Sequence, residues 1–438
     1  MNKKYQEEYK SKLRTIDEFL SEVKSGDVFA TGIVPQNPKL LLENIHRVNE
    51  DVRDIKIYTI LNSNKLDFQN NPKYEGRFLN NCFFYGPPDR AAADSGSKNV
   101  TYIPNNSNTA VIDMKQAGEK LTYYCGAASP MDEHGFFSLS CSAFIEKDLI
   151  DIAEKVVLEV NPNYPRTFGD TEVHISQVDR IIEADYPMPE ETLVQPGRID
   201  EQIGAYVADM IEDGSTIQMG IGGVPYAVCK FLDGKQDLGV HTEMFTEGML
   251  ELYEKGIINN SKKTMYPGKF VAAFAFGTKK LYEFVKDNPS VMIMRGTITN
   301  DPVIISQQHK MVSINAALMI DITGQVCSEA IGTRHYSGCG GQLNTHRGAT
   351  DNGRKGGGGK GIITIHSMAK GRSKIVPVLP LGSPVTIPRH DLDYVVTEYG
   401  VAHMRGRSIR ERVLAMINIA HPDVRDELLF EAKKMNYI

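Results

Sequence analysis

Short runs rich in β-branched residues recur along this chain, with longer amphipathic stretches between them. VVLEV (Val156–Val160), STIQMG (Ser215–Gly220), GIITI (Gly361–Ile365) and YVVTEYG (Tyr394–Gly400) each have the length and composition of a buried strand. Strands that alternate with helical stretches predict α/β domains with largely parallel sheets. The plan also repeats. SEVKSGDVFATGIVPQNPKLLLENI, from Ser21, and ADMIEDGSTIQMGIGGVPYAVCKFL, from Ala208, each run from a helix end through a glycine turn (Gly26, Gly214) into a short strand ending at Gly32 or Gly220. A proline and a new helix follow. Both glycine pairs stand 188 residues apart, and the D-x-x-G turns at Asp132–Gly135 and Asp321–Gly324 repeat at 189. Such self-similarity predicts two similar α/β domains. Periodicity breaks in ADYPMPEETLVQPGRIDEQIG (Ala184–Gly204), where three prolines and several acids intervene, so the predicted domains are 1–190 and 191–438. In the second, DNGRKGGGGKG (Asp351–Gly361) reads as a flexible basic surface insert whose Arg354, Lys355 and Lys360 could screen phosphates.

Composition narrows the function. The chain has 438 residues, enough for two or three domains at roughly 150 each. A net charge of -6 gives no electrostatic footprint for nucleic acid. The longest apolar run, Phe270–Phe276, is far too short to span a membrane. The charged N-terminus lacks the apolar core of a secretory signal, and six cysteines without a CxxC read as reduced thiols, so the expected setting is the cytoplasm.

Common signatures fail on spacing. Lys360 has Arg354 where a P-loop needs glycine and is followed by Gly361. GIGGVP, from Gly220, lacks the third glycine of a dinucleotide fingerprint, and no GxSxG or HExxH occurs. His335, Cys339 and His346 have no zinc spacing, so no metal is expected. Three elements remain. Gly220-Ile221-Gly222-Gly223-Val224 joins a strand to a helix, which makes either an anion-binding turn or an ordinary tight connection. Glu243 stands at a strand's carboxyl edge, the usual ligand side of an α/β sheet, though an acid there can also be a solvated or capping residue; Glu247 is the better capping acid. Gly338, Gly340 and Gly341 surround Cys339 in a loop that could present backbone N–H groups to a ligand or simply be a surface loop.

Taken together, QMGIGGVPYAV, VHTEMFTEGM, SINAALMIDITGQVCSEAIG, YSGCGGQLNTHRGA, VVTEYGVAHMRG and INIAHPDVRDEL resemble, in order and across essentially the whole chain, the acetyl-CoA hydrolase/transferase family, in particular its 4-hydroxybutyrate and butyryl-CoA:acetate CoA-transferases. The resemblance implies two similar open α/β domains of the CoA-transferase type with the active site in the cleft between them. It implies Glu243 as nucleophile, Asn315 and Glu398 as further catalytic residues, Gly220, Ile221, Gly222, Gly223 and Val224 as coenzyme A contacts, and Gly338, Gly340 and Gly341 as backbone contacts to the thioester. Relatives commonly read G-G-Q-[VL]-D-F-x-R-G, whereas Asn344, Thr345 and His346 precede Arg347 here, which puts the acyl pocket in question.

The implied reaction moves coenzyme A from a short-chain acyl-CoA to a carboxylate by a ping-pong route through a mixed anhydride and a glutamyl-CoA thioester. Acyl-CoA and a short-chain acid of the acetate, butyrate or 4-hydroxybutyrate class are the expected partners, with coenzyme A as substrate, no prosthetic group, no nucleic acid, no membrane, and a homodimer as the assembly. Glycine-loop amides and Asn315 are the expected oxyanion donors. Tyr336, Ser337 and Met244 are expected to border the acyl group. A hydrolase differs only in letting water resolve the glutamyl thioester, and a non-catalytic acyl-CoA-binding protein would need no Glu243.

Overall fold

A computed structural model describes residues 3–438. The chain divides into two compact units, the first running to Glu191 and including Val271–Ile298, the second comprising Thr192–Phe270 and Thr299–Ile438.

The first unit is built on β1 (Val28–Thr31), β2 (Ile55–Ile60), β3 (Phe78–Phe84), β4 (Val100–Tyr102), β5 (Tyr123–Ala128), β6 (Lys155–Val160) and β7 (Arg180–Glu183). Their spatial order is β7-β6-β5-β1-β2-β3-β4, and all neighbours are parallel. Parallel strands need both faces covered, so their sequences are nearly continuous apolar runs, as in IKIYTI and KVVLEV. In β1 and β5, Phe29 lies beside Tyr123 in register, and the rings stack at 4.9 Å. Leu41, Ile55, Ile57, Val157 and Ile182 complete this core, each buried side chain contributing about 1.5–3 kcal/mol.

The second unit contains β8 (Thr216–Met219), β9 (Gly239–Phe245), β10 (Val312–Ala316), β11 (Lys360–Thr364), β12 (Tyr394–Thr397) and β13 (Gly400–His403). They lie in the order β13-β12-β11-β10-β8-β9, parallel except for the β12–β13 hairpin. Here β8 is flanked by β10 and β9 as β1 is by β5 and β2. From Val28 to Thr216 the spacing equals that of the glycine turns, so the sequence repeat is a repeat of topology. The D-x-x-G turns match atom for atom: Asp132 Oδ1 accepts from the amides of His134 (2.9 Å) and Phe136 (2.8 Å), and Asp321 Oδ1 from those of Thr323 (2.9 Å) and Gln325 (3.0 Å). Gly135 and Gly324 both have positive φ, +87° and +97°.

Two sequence expectations meet a different arrangement. The division at 190/191 is linear, whereas Val271–Ile298 folds with the first unit: Ala143 N–H donates to Ala273 O (3.1 Å), Ala275 N–H to Cys141 O (2.7 Å), and Arg295 pairs with Asp148 and Asp151 at 2.9 and 2.6 Å. Long-range pairing of this kind leaves no mark in local periodicity. The glycine-rich stretch is no flexible insert. Asp351–Arg354 completes a 13-residue helix (Gln342–Arg354), Gly356 and Gly358 turn at φ +80° and +78°, and Lys360 opens β11. A Cβ at Gly359 would collide with Ala349 O, so the glycines permit tight helix-to-strand packing. Lys360 Nζ pairs with Glu212 (3.1 Å), Arg354 with Asp351 (2.6 Å), and Lys355 Nζ donates to Ser306 Oγ (3.3 Å). These cations sit at the amino end of β11, the sheet edge opposite to the carboxyl ends where ligands bind, so the phosphate-screening idea is abandoned.

His346, on the same helix, is fully buried against Gly361 and accepts a hydrogen bond from Asp393 N–H at 3.2 Å. Burial pulls its pKa from 6.5 to about 4. The unfolded chain therefore takes up this proton first as pH falls, and the stability present above about 6.5 is lost progressively toward about 4. His346→Gln is expected to flatten that acid limb by up to about 1.4 kcal/mol per pH unit, measured by urea unfolding across the window. An unchanged slope would show that His346 protonates as readily folded as unfolded.

Candidate active site

The carboxyl ends of β9, β8 and β10 bring the sequence candidates together. Thr216 pairs with Gly239 and Ile217 with Val312. Carried forward, these registers set Gly220 between Glu243 and Asn315 in one row across three strands. Gly220 N–H donates to Ile314 O at 3.0 Å, and a Cβ on Gly220 would lie 3.9 Å from Asn315 Oδ1. Glu243 lies within β9 rather than after it, half-buried, and Glu247 opens the helix Glu247–Glu254. Strand alternation sends Met244 to the opposite face from Glu243, where it is buried, so it does not border the acyl group as expected.

Beyond Gly220 the turn is ordered by two constraints. Gly222 has φ +111°, and a Cβ on Gly223 would strike the Asp200 carboxylate, 2.5 Å from Oδ2. Asp200 is fixed by accepting from Gly197 N–H (2.9 Å) and by His366 Nε2 (2.7 Å). From Gly223 the chain enters the helix Gly223–Phe231, whose first amides, among them those of Gly223 and Val224, have no partner within the helix. Ile221 stands exposed at the tip.

The Gly338–Gly341 segment is no mobile surface loop. Gly338, Gly340 and Gly341 are buried, and Gly340 turns at φ +55°. Gly341 caps the helix Gln342–Arg354, and a Cβ there would overlap Glu243 Oε2 and Asn300 Nδ2. The positive end of that helix thus adjoins the Glu243 carboxylate and favours negative charge there. Asn300 Nδ2 donates to Glu243 Oε2. Cys339 is no rival nucleophile: burial first, then the charges of Glu329 and Glu243, push its thiol up to about 12.

Asn315 is tied down otherwise than the sequence suggested. Its Nδ2 donates to Ser313 Oγ (3.0 Å) and Thr345 Oγ1 (3.1 Å), while Ser313 Oγ donates to Gln218 Oε1 (2.7 Å). With both amide hydrogens engaged, Asn315 has its carbonyl oxygen toward Gly220. The Thr345 hydroxyl also accepts from Ser313 Oγ at 3.0 Å, which closes this polar network. Asn344 and His346 are buried on the same helix, and Arg347 pairs with Asp391 at 2.6 Å.

Glu398 lies apart from this row, at the tip of the β12–β13 hairpin, two strands from Asn315. Its oxygens accept from Ser367 N–H (2.9 Å) and Ser367 Oγ (2.5 Å). Lys374 is near enough for the Glu398 charge to offset partly the lowering of its pKa by burial. Ser337 Oγ donates to Ser328 O (2.9 Å), and Tyr336 is exposed.

Sequence reasoning missed Asn300, Asp200 and His241. Asp200 alone carried a local signal, as the third residue of a helix capped by Gly197. Among the described residues no group of His, Cys, Asp or Glu is arranged to hold a metal ion, and no helix is long and apolar enough to cross a membrane.

Comparison with known proteins decides the family. The acetyl-CoA hydrolase/transferase N-terminal domain matches residues 1–189, and the C-terminal domain of the same family matches residues 277–432. The chain belongs to the acetyl-CoA hydrolase/transferase family. It is 39% identical to a 4-hydroxybutyrate coenzyme A transferase of Clostridium kluyveri, over 98% of this chain and 99% of that one. To a succinyl-CoA:cyclohexane-1-carboxylate CoA transferase of Geobacter metallireducens it is 47% identical, over 71% and 70% of the two chains. Its fold matches that of RipA from Yersinia pestis with a TM-score of 0.91 at 35% identity, covering 100% of both chains. A 4-hydroxybutyrate CoA-transferase of Porphyromonas gingivalis matches with a TM-score of 0.80 at 32% identity, over 98% and 100%.

Proposed function

We propose that Glu243 is the nucleophile of a ping-pong transfer of coenzyme A between a short-chain acyl-CoA and a carboxylate. The chain is a CoA-transferase by its family and its near full-length relatives. What carries the assignment of Glu243 is its company: a carboxylate at a strand's carboxyl end, held by Asn300 and set against the N-terminus of a 13-residue helix.

A carboxylate oxygen of Glu243 attacks the thioester carbonyl, the C–S bond breaks, and the thiolate leaves a mixed anhydride. The thiolate then attacks the glutamyl carbon, releasing the first acid and leaving a glutamyl-CoA thioester. The incoming acid reverses both steps. Glycine-loop amides at Gly338–Gly341 suit the substrate oxyanion, and the Gly220–Val224 turn with the Asn315 carbonyl suits the amides of the coenzyme A arm. Glu398, fixed by Ser367, serves as a charged neighbour of that arm. No prosthetic group enters these steps.

The relatives' names include 4-hydroxybutyrate, butyrate and a cyclohexane carboxylate. Within that range we place this enzyme with acetate, butyrate and 4-hydroxybutyrate. A cytoplasmic setting accords with six unpaired cysteines. The assembly we propose is a homodimer.

The test is a panel of acyl-CoA donors and acids with borohydride trapping of the intermediate. Acid-dependent exchange with the adduct on Glu243 is the expected result. An adduct elsewhere would overturn the assignment, and coenzyme A release at equal rate without acceptor acid would make the protein a hydrolase.

A further inference from the structure

Three residues before Glu243, both backbone groups of Val240 are taken by side chains of the loop 257–269. Val240 N–H donates to Asn260 Oδ1 at 2.8 Å, and Val240 O accepts from Lys263 Nζ at 2.7 Å. Lys263 Nζ also donates to Lys269 O at 2.7 Å, so one amine ties β9 to the far end of that loop. Gly239 makes room for the lysine stem, since a Cβ there would stand 2.5 Å from Lys263 Cγ. Next along β9, His241 Nε2 donates to Thr299 O at 2.9 Å and its Nδ1 accepts from Gln308 Nε2 at 3.0 Å.

Two neighbouring lysines of this loop have opposite settings. Lys262 is exposed and lies 3.8 Å from the Asp237 carboxylate, whereas Lys263 is 4% exposed and no acid offsets its charge. Burial alone pulls its pKa from 10.5 to about 7. The titratable groups around it are all bases: His241 on β9, and Lys262 and Lys269 in its own loop. Its bonds suit an uncharged amine. A neutral amine has two N–H groups and a lone pair, and an ammonium has three N–H groups. Two carbonyl oxygens take two donors, and among the described residues a third donor would be buried without an acceptor.

Resting on the reading of Glu243 as nucleophile, we propose that Lys263 is a positioning residue that works as an uncharged amine, bracing the strand of Glu243 through Val240, and that taking up a proton undoes the brace. The proton comes from solvent and adds to the Nζ lone pair; no other bond forms or breaks. The ammonium's charge and third donor then call for water, which reaches Nζ by parting the loop from β9. His241 does not take the proton instead, because burial first, then the Lys263 charge, lowers its pKa to about 3. A shift of even about 1 Å at the reacting carboxylate costs on the order of 10²-fold in rate. Stability follows from the same titration. As pH falls, the unfolded chain takes up this proton from about 10.5 and the folded chain only near 7, so the contribution of Lys263 is complete above about 10.5 and is lost by about 7. The folding constant changes by up to about tenfold per pH unit within that window.

Two substitutions test this. Lys263→Gln keeps two N–H donors without a charge, and Lys263→Met keeps the bulk of the stem without donors. Urea unfolding is compared between wild type and Lys263→Gln at each pH from about 7 to 10.5, so that titrations common to both cancel. The ratio of wild-type to variant folding constant is expected to rise by up to about tenfold per pH unit. A flat ratio would show that Lys263 is as readily charged folded as unfolded, and would overturn the proposal. In transfer assays, wild-type kcat is expected to fall toward acid with a midpoint near 7 while the KM for acyl-CoA holds. Lys263→Gln should keep the alkaline kcat and lose that acid limb, and Lys263→Met should be slow at every pH, by about 10²-fold. A lysine that served stability alone would leave the pH profile of kcat unmoved, and an acid limb that persists in Lys263→Gln would remove the brace from the explanation. If neither variant folds, the titration of ¹³C-labelled lysine Cε signals in the wild type decides: one midpoint near 7 supports the proposal, and none below about 9 refutes it. Borohydride trapping on the same preparations separates the two readings. An adduct on Glu243 beside an unmoved pH profile keeps the nucleophile and rejects the brace, whereas an adduct elsewhere rejects the nucleophile and with it the role of Lys263 in positioning it.

Discussion

Glu243→Ala loses at least about 10⁴-fold in transfer rate while the protein keeps its fold; this is the largest effect expected of any single substitution, because no other group can take over a covalent role. Cys339, the adjacent thiol, is held protonated by burial and cannot substitute. Glu247 is buried at the start of the next helix, four residues along, and cannot reach the same point without unwinding its first turn. Stability should change little. Glu243 is half-buried, and its loss removes one acceptor from Asn300, a matter of about 1–3 kcal/mol at most. Glu243→Asp is the informative companion. It retains the charge but withdraws the carboxylate by one methylene from Asn300 and Gly341, and a loss of about 10²-fold is expected from misplacement alone. Steady-state exchange with thermal unfolding on the same preparations checks both. Transfer within tenfold of wild type in Glu243→Ala would leave the site without its nucleophile.

How much of this site could be read from the chain depends on the range of the interaction that builds each part. Glu243 and Gly220 were legible because each ends a strand with a strong local pattern, whereas Asn315 entered only through the family resemblance; parallel pairing aligns all three. Gly222 and Gly340 were legible as turn glycines, since positive φ is a local requirement. Asn300 was not. It follows a short turn at Gly296–Thr299 with no amphipathic signal, and its bond to Glu243 spans 57 residues. His241 was hidden for the opposite reason: inside a strand, a buried histidine reads as core until its partners, Thr299 and Gln308, are in place. The glycine-rich stretch misled because four consecutive glycines look flexible in composition, whereas Gly357 and Gly359 are small to make room for Asn352. Asn315 was found for its position but with the wrong chemical end. Only the hydroxyls of Ser313 and Thr345 reveal that its amide hydrogens are already engaged.

Gly341→Ala is the second large effect, and it separates geometry from chemistry. Gly341 has φ −90° and ψ 4°, a conformation open to alanine, so the substitution brings no backbone strain. The added methyl instead falls where Glu243 Oε2 and the Asn300 amide meet. One of the two must move, and the strand on one side and the His241-anchored loop on the other leave little room to do so. A displacement of even about 1 Å at the reacting atoms costs on the order of 10²-fold, so a fall of at least about 10²-fold in kcat is expected. Gly338→Ala, in the same buried segment, provides the comparison and should fall less. The measurement is kcat beside the unfolding midpoint. Near-normal kcat in a folded Gly341→Ala protein would mean that Glu243 does not work from the position against Gly341, and the contact that joins the glycine loop to the nucleophile would have no part in the reaction.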